Sequence, residues 1–283
     1  VTLASGQEQP GQLALNATSV FWTTSGSSDG GPGGAVAKVA LTGGTPTTLA
    51  TGQPSGPLAA DSSAVYWLDQ SGAVLSMSAS GGTTTTLATG QSASTAIAVD
   101  GTAVYWVNGD GTGSGTVMRV PKGGGTATTL ASGVYQSVGI AVDATNVYWT
   151  DAGNTTVPGR ILSVPTAGGT PQTLAMGLNG PGAMAIDSSR IYFAESTGVA
   201  SLPLAGGTPT MLASLSNGPT GIAVDSTDVY WASGSVGALS SVALGGGNAT
   251  TLATGSPFDV AVDATSIYWT DFSAGTVMKL AKP

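Results

Sequence analysis

The sequence predicts an all-β chain: a seven-bladed β-propeller with four antiparallel strands per blade, the last blade closed by the N-terminal strand. Three observations lead there. A short apolar phrase ending in Asp or Asn recurs seven times, an aromatic pair follows every copy, and the two ends of the chain are complementary fragments of one repeat. The phrases end at Asn16, Asp61, Asp100, Asp143, Asp187, Asp225 and Asp263, in steps of 38 to 45 residues. A period of that length with several strands per unit marks a propeller blade.

The fourth copy shows how each element is read. Ile140, Ala141 and Val142 form a short apolar run, the first strand. Asp143 opens a turn, because an Asp side chain can bond its own backbone two residues on. Val147, Tyr148 and Trp149 are β-branched and aromatic, suited to a pleated strand covered on both faces. Strands are predicted at 138–143, 146–151, 159–165 and 172–177, the first lining a central channel and the fourth at the rim. The Ala in the middle of every first strand leaves room for blades to crowd toward the axis. The Gly pairs at 43–44, 81–82, 124–125, 168–169, 206–207 and 246–247 suit tight hairpins between third and fourth strands. Lys38, Arg119 and Lys279 share one third-strand position with Ser76, Ser163, Ser201 and Ser241, expected to be a partly solvated rim position.

The ends complete the pattern. Val1-Thr2-Leu3-Ala4-Ser5-Gly6 matches the tail of a repeat, as in Thr129-Leu130-Ala131-Ser132-Gly133. The C-terminal stretch supplies three strands. One domain over 1–283 is therefore expected, its seventh blade shared between about 1–7 and 258–283, so that no sheet edge is free at the seam.

Composition narrows the function. The 283 residues carry a net charge of −8 with 7 basic side chains, which argues against nucleic acid, whose phosphates need clustered Lys and Arg. No apolar run approaches the roughly 18 residues of a membrane helix, so membrane insertion is not expected. Cys and His are absent, which excludes thiolate nucleophiles, imidazole bases and zinc fingers. Few lysines and no free thiol suit a mature, secreted or periplasmic protein whose leader has been removed, and a monomer is expected.

Tyr-Trp-Thr-Asp stands verbatim at 148–151 and 268–271, with close variants at 66–69, 105–108 and 192–195. Together with the preceding Ala-Val-Asp phrase, this resembles the YWTD-type propellers and their bacterial NHL-like relatives. The resemblance implies that the Tyr, Trp and Asp hold blades together and that binding partners vary. It departs from the six-bladed receptor form, because seven copies are visible and Cys-rich flanking modules are absent. Streptogramin-cleaving lyases share the seven-bladed architecture, but their chemistry uses a His. Lactonase-type propellers hold a divalent ion with Glu, Asn and Asp, and those residue types are present here.

Candidate sites lie on the face shared by the second-to-third and fourth-to-first loops. Asp69, Asp151, Glu195 and Asp271 end second strands there and are the candidate ligands of a metal such as Ca²⁺, although turn capping is the plainer role. Asp29 and Asp110, in longer loops, are further Ca²⁺ candidates without EF-hand spacing. Gln53, Gln91, Gln136, Asn179 and Asn217, with Gln7, make an amide-rich rim that can hydrogen-bond a sugar or peptide. Tyr135, Phe258 and Phe272 do not repeat between blades and are the candidate aromatic anchors. The reading is a non-enzymatic, exported binding propeller that takes a protein, peptide or glycan on this loop face. Two alternatives stay open: a metal-dependent lactonase- or lyase-like enzyme with carboxylates at the channel mouth, and a purely structural surface protein.

Overall fold

A computed structural model describes residues 1–26, 33–52, 56–109 and 111–283. Asp29, Gln53 and Asp110 lie outside the described residues. The described residues form seven sheets of four antiparallel strands, arranged in a ring. We number the blades by their aromatic pairs, from Phe21-Trp22 in blade 1 to Tyr268-Trp269 in blade 7. In blade 4 the strands are Ile140–Val142, Asn146–Asp151, Gly159–Pro165 and Gln172–Leu178, close to the predicted bounds. Blade 7 combines Pro257–Val262, Ser266–Asp271 and Thr276–Ala281 with the N-terminal strand Thr2–Ala4. Thr2 lies opposite Met278 and Ala4 opposite Val277, which closes the ring.

The aromatic pair stitches the blades. Neighbouring residues on a strand point to opposite faces, so each Tyr faces the following blade and each Trp the preceding one. Tyr105 of blade 3 and Trp149 of blade 4 share one buried cluster, and Tyr268 of blade 7 and Trp22 of blade 1 share another. The same partition recurs at every interface, giving seven clusters for seven contacts. The core is therefore a ring of inter-blade layers, and each sheet contributes one face to each of two layers.

The Asp that ends each first strand does two jobs. Asp143 Oδ1 accepts the backbone N–H of Thr145 at 2.7 Å and of Asn146 at 2.8 Å, the expected turn cap. Its Oδ2 accepts the hydroxyl of Tyr148 at 2.8 Å, fixing the turn to the second strand. Six blades repeat this Tyr–Asp bond at 2.8 to 3.1 Å. Blade 1 has Phe21 in place of Tyr and Asn16 in place of Asp, so the hydroxyl and its acceptor are lost together. Asn16 still caps its turn, accepting the N–H groups of Thr18 and Ser19 at 2.9 Å. In blade 4, burial and the neighbouring Asp143 push the Tyr148 phenol up to about 12. Burial opposes ionisation of Asp61, yet the Lys122 ammonium at 2.6 Å, the Ser63 hydroxyl and two backbone N–H groups outweigh it and hold that carboxyl well below its ordinary range.

The third-strand position expected to be partly solvated is so at Lys38, Arg119 and Lys279, which are half-buried, but interior where it is Ser. Ser76, Ser163, Ser201 and Ser241 are all buried. Each sits directly across from the Tyr of its blade and so faces the next blade. The two lysines at this position bridge blades: Lys38 Nζ donates to the Ala79 carbonyl at 2.5 Å and Lys279 Nζ to the Leu41 carbonyl at 2.9 Å. The Gly pairs meet their expectation, with Gly168 and Gly169 at φ 88° and 150°, backbone that a side chain disfavours.

Candidate functional site

The starts of all seven first strands converge at one end of the channel, around a cavity of about 490 Å³. Each blade contributes one aliphatic residue there: Leu13, Leu58, Ile97, Ile140, Met184, Ile222 and Val260. The residue before each aliphatic varies: Gln12, Pro57, Ala96, Gly139, Ala183, Gly221 and Asp259. Asp259 is the one carboxylate of the set. It is buried, and its oxygens accept the N–H of Leu13 at 2.8 Å and of Val260 at 2.9 Å. Burial pushes its carboxyl up to about 6, and the two backbone N–H groups offset only part of that effect. Sequence reasoning passed over Asp259. The available signal was its singularity, a charge at a position that six other blades fill with neutral residues.

Aromatic and aliphatic side chains flank this mouth. Phe258, on its wall, stacks on Phe272 with ring centroids 5.9 Å apart and planes at 29°. Thr220 Oγ1 donates to the Phe258 carbonyl at 2.6 Å, tying blade 6 to blade 7. Val138, also lining the mouth, is 50% exposed, and Val236 is 47% exposed in the blade 6 loop on the same face. Of the three aromatic candidates, Phe258 and Phe272 thus come together, while Tyr135 lies in blade 4's region with the Arg160 guanidinium 5.9 Å from its ring centre.

The amide candidates have varied surroundings. Gln91 Oε1 accepts Trp106 Nε1 and Asn108 Nδ2, both at 3.0 Å, and its Nε2 donates to the Thr89 carbonyl at 2.9 Å. Gln7 Oε1 accepts Trp22 Nε1 at 3.1 Å. These amides cap buried indoles. Gln136 and Asn179 bond through their backbones, to Asp151 and Ala152 and to Ser196 respectively. Asn217 is exposed beside Glu195 in a shallow cavity.

The four carboxylate candidates do not share one site. Asp151 is fully buried, paired with Arg160 at 2.8 Å and accepting the N–H groups of Tyr135, Gln136 and Gly153. Asp271 accepts the N–H of Ser256 and of Ala274. Asp69 accepts the N–H of Ala73 and the Ser71 hydroxyl. Glu195 is half-buried, and burial raises its carboxyl although a backbone bond from Asn179 offsets part of the rise. Among the described residues no three carboxylates gather at metal-binding separation. Ca²⁺ needs six to eight converging oxygens, and this donor set, largely spent on protein N–H groups, does not fit a shared ion.

The chain matches no protein-family model, and no curated protein matches it. Solved structures do resemble it. A crystal structure of a nidogen/laminin complex is similar at 20% identity over 75% of this chain and 87% of that one, with a TM-score of 0.60. The computationally designed Ika8 protein is similar at 17% identity over 99% of this chain and 98% of that one, with a TM-score of 0.66. At these identities the likeness shows the architecture alone: the chain is a seven-bladed β-propeller, with its Tyr-Trp-Thr-Asp copies at 148–151 and 268–271 on the second strands of blades 4 and 7.

Proposed function

We propose that the protein is an exported, non-enzymatic interaction propeller that docks a protein partner on the loop face around the channel mouth. The break in sevenfold repetition at that mouth carries the reading: Val138, Phe258 and Asp259 are singular there, Val138 is exposed, and half-buried Phe258 stacks on half-buried Phe272 beside a polar wall. Exposed apolar groups rimmed by polar ones are the anatomy of a docking patch. The architectural likeness to a structure of a protein–protein complex supports the same class of partner. Export rests on composition, with no Cys and few basic residues.

The test is affinity capture from the extracellular and envelope fractions of the source cells, followed by titration of the captured protein. Phe258→Ala with Phe272→Ala should weaken the complex about 100-fold, since aromatic anchors dominate interface energies. Met176→Ala, on an exposed outer strand, should leave it unchanged. Equal loss in both variants, or in neither, would remove the loop face from the account.

A further inference from the structure

Blade 4 departs from its siblings at one buried donor. In blades 1 and 3 the indole N–H of the aromatic pair is met by a Gln carried on the preceding blade. Gln7 Oε1 accepts Trp22 Nε1 at 3.1 Å, and Gln91 Oε1 accepts Trp106 Nε1 at 3.0 Å. Those Gln residues end the phrases Leu3-Ala4-Ser5-Gly6-Gln7 and Leu87-Ala88-Thr89-Gly90-Gln91. In the phrase that precedes blade 4, Leu130-Ala131-Ser132-Gly133-Val134, the Gln place is taken by Val134. Trp149 remains, 2% exposed, and its Nε1 has no hydrogen-bond partner among the described residues. Blade 5 shows the matched alternative: Leu178 stands at the Gln place and Phe193 at the Trp place, so donor and acceptor are removed together. Blade 4 has removed the acceptor alone. A buried donor without a partner is costly.

Trp149 borders a cavity of about 420 Å³ with Val134, Tyr135, Arg160, Leu162 and Pro171. Pro171 and Thr173 at its lip are exposed, so the cavity is reachable from solvent. Arg160 spends Nε and Nη2 on Asp151, at 3.1 and 2.8 Å, and Nη2 also on the Gly133 carbonyl at 2.9 Å. This pair cancels its own charge, so the cavity favours a neutral acceptor over an anion. The acceptor that the same indole meets in blades 1 and 3 is a carboxamide oxygen.

We propose that this cavity is a binding site for a neutral carboxamide group, its carbonyl oxygen accepting Trp149 Nε1–H and its apolar part resting on Val134, Leu162 and Pro171. Such a group comes from two sources, the acetamido substituent of an amino sugar or a Gln side chain of a peptide. The site stands apart from the axial mouth and does not depend on the reading given for it.

The test follows the indole N–H signals of the full chain by ¹H–¹⁵N NMR, the Trp149 signal being the one that Trp149→Phe removes. Titrants are N-acetylglucosamine and the N-acetyl amide of glutamine, with glucose and acetate as controls. The Trp149 signal should move saturably with at least one amide probe and stay still with both controls. A response to the sugar alone assigns the glycan source, and a response to the glutamine derivative alone assigns the peptide source. Val134→Gln, which restores the residue of blades 1 and 3, should abolish the response and raise the thermal midpoint. Trp149→Phe, followed through signals of neighbouring residues, should bind about tenfold more weakly, the weight of one shielded hydrogen bond. A Trp149 signal that no amide probe moves, or that glucose or acetate moves equally, overturns the proposal, as does undiminished binding in both variants.

Discussion

Asp259 Oδ2 accepts the backbone N–H of Leu13 at 2.8 Å, although 246 residues of chain separate them. The bond joins the first strand of blade 7 to that of blade 1, at the axial end of the seam. Beside it, Thr270 Oγ1 donates to the Gly11 carbonyl at 2.7 Å. The seam is therefore held at two radii, by these bonds near the axis and by the N-terminal strand at the rim.

The charge on Asp259 should leave a signature in pH-dependent stability. Its folded carboxyl titrates at about 6 against an ordinary 3.8. Between those values the folded state keeps a proton that the unfolded state has lost. Its contribution is thus fully present below about 4 and is lost as pH rises toward about 6, a difference of about 3 kcal/mol. Asp259→Asn should remove that slope. Denaturant melts of both proteins from pH 4 to 7 check this, and parallel curves would show that Asp259 does not titrate in that window.

Gly221 faces Asp259 from blade 6. A Cβ at Gly221 would stand 2.3 Å from Asp259 Oδ1 and 2.8 Å from its Cα. Gly221→Ala should force the two first strands apart and cost about 1–3 kcal/mol. Gly245→Ala, where a Cβ meets nothing within 4 Å, is the control. Chemical denaturation of the pair measures the difference.

The Tyr148–Asp143 bond should behave as a coupled unit. Tyr148→Phe leaves a turn carboxylate without its hydroxyl, and Asp143→Asn weakens the acceptor. The double variant reproduces the Asn16 and Phe21 combination of blade 1. A double-mutant cycle should give a coupling of about 1 kcal/mol, with the double variant less destabilised than the two singles added. Strict additivity would mean that the hydroxyl finds water equally well.

Removing residues 1–6 should expose the Thr276–Ala281 strand as a free edge. We expect a lower thermal midpoint and concentration-dependent association, checked by calorimetry and light scattering. An equally stable truncation that does not associate would show that the N-terminal strand adds nothing to closure.

The architecture was legible because it is written seven times. One copy of Ile140-Ala141-Val142-Asp143 is ambiguous, whereas seven at a near-constant step admit few folds. The Asp turn caps and the buried Trp residues could be read in the same way, from local chemistry. The Ser76 position was misread because a small polar residue in a strand looks like a solvent-facing one. Its burial comes from register, which sets it across from Tyr66. Gln91 read as rim chemistry because its partner, Trp106, lies 15 residues on and in the next sheet. The burial of Asp259 was not legible for a similar reason: its environment is made by Leu13 and Gly221 from other blades, far off in sequence.

The division of each aromatic pair between two layers bears on how the molecule comes apart. In a linear array of repeats the outermost units have one neighbour, so they fray first and unfolding runs inward. Here Tyr268 reaches Trp22 just as Tyr105 reaches Trp149, so no unit is outermost. Losing one blade strips an aromatic partner from both of its neighbours at once. The ring should therefore show little local opening before its global transition, with slow amide exchange spread evenly over the second strands rather than graded along the chain.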